Sequence, residues 1–130
     1  MNSNLIESVL NCTQIISGTS DEYSQLLSIL KIQSVEELIE RFGFIYLFEK
    51  KGSDGARIYY DKKFIDCKPL EKKHSRNTTG CGDTFNAGVI YSISMGLNEK
   101  DMLRTAVDFA TMVAYKGFNL DLFSGIRDSI

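Results

Sequence analysis

The stretch Asn77-Thr78-Thr79-Gly80-Cys81-Gly82-Asp83-Thr84-Phe85-Asn86-Ala87-Gly88 decides how this chain is read. Two glycines flank one small residue, and an aspartate follows at once. Beyond it, Phe85, Val89, Ser92, Ile93 and Gly96 recur along one side of a helix. The pattern is a tight glycine turn that opens directly into a helix. Glycine lets the backbone turn so that several N–H groups point into one space. The first N–H groups of the helix lack intrahelical partners, and its dipole adds partial positive charge there. Such a turn receives a phosphate, or the charge that spreads over a transferring phosphoryl group. Asp83 is favoured as the anion in the first helical turn. It can accept the proton of an attacking hydroxyl, or it can simply cap the helix, and residue chemistry alone leaves both readings open. The stretch is not a P-loop, since no Lys-Ser/Thr pair follows its last glycine, and the dinucleotide spacing fails after Gly82.

Working outward, Ala87, Gly88 and Ser92 are small and admit close approach of another element. Asn98 caps the next helix, with Asp101 at the box position. Met102, Leu103, Ala106, Val107, Ala110, Val113 and Ala114 form its apolar face, ended by Gly117, and residues 121–130 read as a short helical tail. Upstream, residues 68–76 are polar, contain the only proline and read as a loop. RIYY and KFIDC, parted by Asp61, Lys62 and Lys63, read as a hairpin, preceded by the two-glycine turn KKGSDGA. Phe44–Phe48 is an apolar run suited to a strand buried on both faces. Ser34 and Glu37 form a capping box for a helix striped by Val35, Leu38, Ile39 and Phe42 and ended by Gly43. Ser20 caps a helix carrying Tyr23, Leu26, Leu27 and Leu30 on one face. Thr13–Ser17 reads as a brief strand closed by Gly18, and Asn4–Leu10 as a helical turn or two. Strands mixed with amphipathic helices indicate an α/β layer, helices on a sheet.

At 130 residues the chain is sized for one core, and two domains are nearly excluded. Its 43% hydrophobic, 11% aromatic and 25% charged residues exclude disordered, collagen-like and coiled-coil classes. No apolar run is long enough to span a bilayer, so no membrane partner is expected. A net charge of −2 argues against a nucleic-acid partner. The basic residues cluster between Lys50 and Arg76, either as a solvated face or as local positive potential beside an anionic ligand. Cys12, Cys67 and Cys81 lack metal spacing, and His74 has no second histidine, so free thiols in a reducing compartment are expected. The N-terminal residues show no secretory signal, and a cytoplasmic location is the consistent expectation.

The segment 77–88 resembles the second signature of the ribokinase/PfkB family of sugar kinases, D-T-x-G-A-G-D-x-F, matched by Thr78, Gly80, Gly82, Asp83 and Phe85. The resemblance implies an anion hole at Gly80, Cys81 and Gly82, with Asp83 as catalytic base. KKGSDGARIYY resembles the family's nucleotide-side G-x-x-G turn, placed on Gly52 and Gly55. IISGTSDEYSQLL resembles the N-x-x-E region, with Glu22 as the glutamate that helps organise magnesium. Lys116-Gly117 resembles the K-G near the adenine pocket, and Thr78 joins the nucleotide-binding set. ATP and Mg2+ are the implied cofactors, with a monovalent cation beside them. Departures are Asn77 for the usual aspartate, Thr19 for the usual asparagine and Cys81 for alanine. A helix N-terminus lowers a thiol's pKa, which makes Cys81 a candidate for alkylation.

The resemblance covers nearly the whole chain, but the family's first glycine signature, sugar contacts and β lid have no counterpart. The implied fold is a ribokinase-like layered sheet with flanking helices, residues 1–130 forming the C-terminal, nucleotide-binding half. The implied activity is ATP-dependent phosphotransfer to a hydroxyl of a sugar or nucleoside, with a second copy of the chain or an N-terminal half as protein partner. Two other readings are a non-catalytic or split nucleotide-binding module, and an interaction domain whose glycine turn only caps a helix.

Overall fold

The computed structural model describes residues 3–69 and 81–116, the side chains of residues 81 and 113–116 excepted. The chain divides into two compact units, residues 1–66 and 67–130.

In the first unit the elements run α1 (Ser3–Asn11), β1 (Ile15–Thr19), α2 (Ser20–Leu30), α3 (Val35–Phe42), β2 (Tyr46–Lys50), a 3-10 turn (Gly52–Asp54), β3 (Ala56–Tyr60) and β4 (Lys63–Cys67). The strands form one sheet in the order β1-β2-β3-β4. β1 and β2 are parallel, Ile15 opposite Tyr46 through Thr19 opposite Lys50. β2 and β3 are antiparallel, Leu47 opposite Tyr59 through Lys50 opposite Ala56. A parallel pair needs a crossover, which α2 and α3 supply. The mixed α/β sheet with flanking helices agrees with the layer read from the pattern.

The core gathers Leu10, Tyr23, Leu30, Leu38, Phe44 and Leu47, with Leu38 and Leu47 fully buried. Each such aliphatic side chain contributes about 1.5–3 kcal/mol of transfer free energy. Tyr23 donates its hydroxyl to the Phe48 carbonyl at 2.7 Å, which fastens α2 to β2. Gly18 makes room for that ring: a Cβ there would stand 3.3 Å from Tyr23 Cζ.

Several boundaries differ from expectation. Gly18 does not close β1, because the parallel ladder carries the strand on to Thr19. The cap of α2 is Thr19, not Ser20: its hydroxyl accepts the Glu22 N–H at 3.1 Å, and Glu22 Oε1 accepts the Thr19 N–H at 2.9 Å. At α3 only half of the expected box forms. Ser34 accepts the Glu37 N–H at 3.1 Å, but Glu37 reaches past Ser34 to the Gln33 N–H at 3.1 Å. β2 lies two residues later than the apolar run, with Ile45 left exposed and Glu49 and Lys50 inside the strand. The β3–β4 hairpin turns on Asp61 and Lys62 alone, at φ 50° and 60°, the two positive angles of a type I′ turn that follows the sheet's twist.

The second unit contains α4 (Cys81–Ser94) and α5 (Glu99–Lys116), packed on each other. Phe85, Val89 and Ser92 are buried on α4, and Met102, Leu103, Ala106 and Val107 on α5. Ile93, placed by periodicity on the inner stripe, is 45% exposed. At Gly88 the two helices pack tightly. A Cβ there would lie 2.8 Å from Ala106 Cα, so the small-residue reading of this segment holds at Gly88. Gly96, at φ 69°, turns the chain, and Asn98 Oδ1 accepts the Asp101 N–H at 2.8 Å to start α5. Residues 70–80, with the expected loop and His74, and the tail 117–130 lie outside the described residues.

Candidate functional site

β1 and β2 run side by side and end together, at Thr19 and Lys50. The carboxyl ends of parallel strands are where open α/β sheets place ligands. A polar cleft of roughly 460 Å³ opens there, lined by Thr19, Ser20, Asp21, Glu49, Lys50, Lys51, Gly52 and Asp54. One wall is the start of α2. The other is the end of β2 with its glycine turn.

The glycine turn is closed on itself. Lys51 N–H donates to the Gly55 carbonyl at 2.8 Å, and Gly55 N–H to the Gly52 carbonyl at 3.1 Å. Gly52 has φ 61°, and Gly55 has φ 95° with ψ −135°. The second conformation is essentially open to glycine alone. Gly52 and Gly55 therefore stand together as read from the sequence, Gly52 on the cleft and Gly55 buried behind it.

Glu22 is tied to the opposite wall through its reciprocal bonds with Thr19. Those bonds hold its carboxyl below the usual range, the Thr19 backbone donor first, with the Lys50 charge assisting. Thr19 thus serves as the cap that steadies the glutamate. Among the described residues no three or more ligating side chains are assembled for a metal.

A side-chain network reaches this cleft across the sheet. Ser20 donates to Glu49 Oε2 at 2.7 Å, and the Tyr59 hydroxyl donates to Glu49 Oε1 at 3.4 Å. Arg57 donates to the Tyr59 oxygen at 3.2 Å and forks onto Asp66 at 2.7 and 3.1 Å, its guanidinium 3.8 Å above the Phe64 ring. Burial pushes the Tyr59 phenol up, partly offset by its bond from Arg57, so it stays a donor. Sequence reasoning missed Glu49, Tyr59 and Arg57. Their signal is the sheet register, which no local pattern carries.

In the second unit, Cys81 opens α4, Gly82 follows, and Asp83 lies exposed in the first turn, as the glycine-turn reading places it. Lys116 is the last residue of α5. Gly80, Thr78, Asn77 and Gly117 lie outside the described residues. The structure sets Gly52 on the cleft and Glu22 in the first turn of α2, next to the cleft-lining Thr19–Asp21 but not itself on the lining, and it gathers Cys81, Gly82 and Asp83 at one helix start within the second unit. No helix among the described residues is long and apolar enough to cross a membrane.

The sequence model described as "pfkB family carbohydrate kinase" matches residues 2–117. The chain belongs to the pfkB family. A relative described as an uncharacterized sugar kinase of Archaeoglobus fulgidus is 33% identical over 91 residues, 70% of this chain and 36% of that protein. The 1-phosphofructokinase of Haloferax volcanii is 32% identical over 82 residues, 63% of this chain and 26% of that protein. The chain thus spans between about a quarter and a third of the length of these curated relatives. The fold is that of the Methanocaldococcus jannaschii nucleoside kinase, an archaeal member of the ribokinase family, at TM-score 0.81 and 19% identity, over 100% of this chain and 44% of that one. The pfkB chain described here is accordingly a portion of the full ribokinase-like fold.

Proposed function

We propose that this chain is the nucleotide-side, C-terminal half of a pfkB-type kinase that moves the γ-phosphoryl group of ATP to a hydroxyl of a sugar or nucleoside. The observation that carries the reading is the cleft at the ends of β1 and β2, with a capped acidic helix start on one wall and a positive-φ glycine turn on the other. In this reading the nucleotide's phosphates lie along Gly52–Gly55, with Lys50 and Lys51 supplying positive charge, and Thr78, Lys116 and Gly117 complete the nucleotide contacts. Gly80, Cys81 and Gly82 offer backbone N–H groups to the transferring phosphoryl group at the start of α4.

Asp83 is the base. The acceptor oxygen bonds to the γ-phosphorus as the bond to the bridging oxygen breaks, ADP leaves with that electron pair, and the hydroxyl proton passes to the Asp83 carboxylate. The oxygen donors at the cleft fit Mg2+, a hard cation usually held by one or two carboxylates plus substrate phosphates. Glu22 would hold it, and the ion would neutralise charge on the phosphates. The monovalent cation is the least supported part of the reading, since Asn77 stands where the family carries an aspartate. Acceptor contacts come from outside this sequence, from an N-terminal half or a second copy. A reducing, cytoplasmic setting belongs to the same reading.

The names of the relatives span a phosphofructokinase and a nucleoside kinase, which supports testing both acceptor classes. ATP-dependent phosphorylation of a panel of sugars and nucleosides should be measured with the wild type and Asp83→Ala. Loss of the general base predicts a fall of roughly 10²–10⁴ in kcat. A variant as active as the wild type refutes the assignment.

A further inference from the structure

The geometry points to Glu49 as a positioning residue for the cleft: its carboxylate ties the α2 wall to the β2 wall, and so holds Glu22 and the Gly52–Gly55 turn in one fixed arrangement for a nucleotide's phosphates. The inference rests on the nucleotide reading of this cleft and adds a residue that neither the glycine turns nor the Glu22 motif contains. The two walls come from distant segments, Thr19–Asp21 and Glu49–Asp54. The backbone ladder ends between them, with Gly18 opposite Glu49 and Thr19 opposite Lys50. Beyond the ladder only side chains can hold the walls together.

The Ser20–Glu49 bond does so. At 2.7 Å it joins the first residue of α2 to the strand end across the cleft, and a hydroxyl bonded to a carboxylate is roughly twice as strong as a neutral pair. Glu49 is itself anchored. Its directly opposed neighbour is Arg57, yet Arg57 turns to Asp66 on β4 and to the Tyr59 hydroxyl. Tyr59, diagonal to Glu49, delivers the second bond to the carboxylate. The rotamer of Glu49 is therefore set from β3 and β4, and its bond to Ser20 fixes the cleft end of α2, one turn from the Tyr23–Phe48 bond that fastens the helix body to β2. Thr19 precedes Ser20 directly and carries Glu22 through the capping box, so displacement at Ser20 passes straight to Glu22. A carboxylate facing phosphates is electrostatically unfavourable. Its value here lies in the two bonds it accepts, which separates a positioning role from a charge role.

The test uses the full chain, with Mg·ATP binding by calorimetry and amide hydrogen exchange in the absence of nucleotide. Glu49→Ala and Ser20→Ala should each weaken Mg·ATP about tenfold, equivalent to roughly 1.4 kcal/mol. The double variant should be no weaker than either single one, because both remove one link. Glu49→Gln, whose amide oxygen still accepts from Ser20, should recover affinity to within about threefold of the wild type, a rescue that a charge role does not give. Without nucleotide, Glu49→Ala should speed exchange at the Thr19 and Glu22 amides. Unchanged exchange there, additive losses in the double variant, or an affinity for Glu49→Ala equal to the wild type each overturn the inference. A wild type that binds no Mg·ATP overturns the nucleotide reading, and this inference with it, whereas the exchange result judges the Glu49 link by itself.

Discussion

Replacing Gly88 by alanine tests how the helix that carries Asp83 is seated. A methyl group at Gly88 would stand 2.8 Å from Ala106 Cα and 3.3 Å from the Ala106 nitrogen and the Thr105 carbonyl oxygen. Non-bonded carbons rest at about 3.5–4.0 Å, so α4 and α5 must separate by roughly 0.7–1.2 Å at this point. All three neighbours are backbone atoms, which no rotamer change can move aside. A gap of about 0.5–1 Å forfeits a quarter to a half of the dispersion energy along the opened contact, and overpacking of this kind costs about 1–3 kcal/mol. Alanine returns about 0.8–1 kcal/mol of helix propensity. The net expectation is a loss of up to about 2 kcal/mol, read by urea denaturation followed by circular dichroism, with the transition midpoint moving down. Ala87→Gly, on the exposed side of the same helix, should cost only the propensity difference of about 1 kcal/mol. If Gly88→Ala instead raises stability by the full propensity gain, the close approach of α4 to α5 is wrong. Asp83 lies little more than one helical turn away; under its proposed role as base, displacements of about 1 Å can cost 10²-fold in rate, so the proposed phosphotransfer should fall more steeply than the stability loss alone accounts for.

Three further outcomes are expected. Gly55→Ala forces an L-residue into φ 95°, ψ −135°; it should destabilise by about 1–3 kcal/mol and weaken nucleotide binding in calorimetry, and equal stability would contradict the turn geometry. Lys62→Gly relieves a left-handed lysine at φ 60° and should raise the thermal midpoint, by up to about 1 kcal/mol of stability; a lower midpoint would contradict the type I′ turn. The hydrogen bonds from Thr19 hold the Glu22 carboxyl below its ordinary value. Its contribution is fully present above that value and is lost as pH falls through the folded pKa, so wild type should lose stability on acidification below about pH 4.5 faster than Glu22→Gln. Parallel acid profiles for the two proteins would refute the capping bond.

The elements with strong punctuation were legible in the sequence. Gly43 sits at positive φ where α3 stops, Asn98 caps α5, and Gly52 and Gly55 form the turn their spacing announced, whereas Gly96, read as part of the helix stripe, lies past the end of α4 at φ 69°. What failed locally failed for a non-local reason. Thr19 and Ser20 are adjacent hydroxyl residues, and only the parallel ladder, by extending β1 to Thr19, decides which one caps α2. The run Phe44–Phe48 marks a strand, but pairing with β1 and β3 moves its window onto Glu49 and Lys50, two charged residues that hydropathy assigns elsewhere. The cleft shares this division. Gly52 and Gly55 announce themselves by spacing and Glu22 came only from the family resemblance, whereas the Glu49 link depends on Tyr59 lying diagonally across a strand pair. That neighbour exists only once register is set.

The parallel pairing of β1 with β2 also governs the order in which the molecule assembles. Ile15 meets Tyr46 across 46 − 15 = 31 positions of chain, whereas α4 and α5 are consecutive helices joined by a short turn. Closing a long loop before its contacts can reward it is slow, and helix pairs with local contacts form early. The β1–β2 ladder is therefore expected among the last structures to form, and pulse-labelled hydrogen exchange should show its amides protected after those of α4 and α5. Because the cleft is the place where those two strands end, a nascent or partly refolded chain without that ladder has no cleft, and the cleft forms only as the two strands pair.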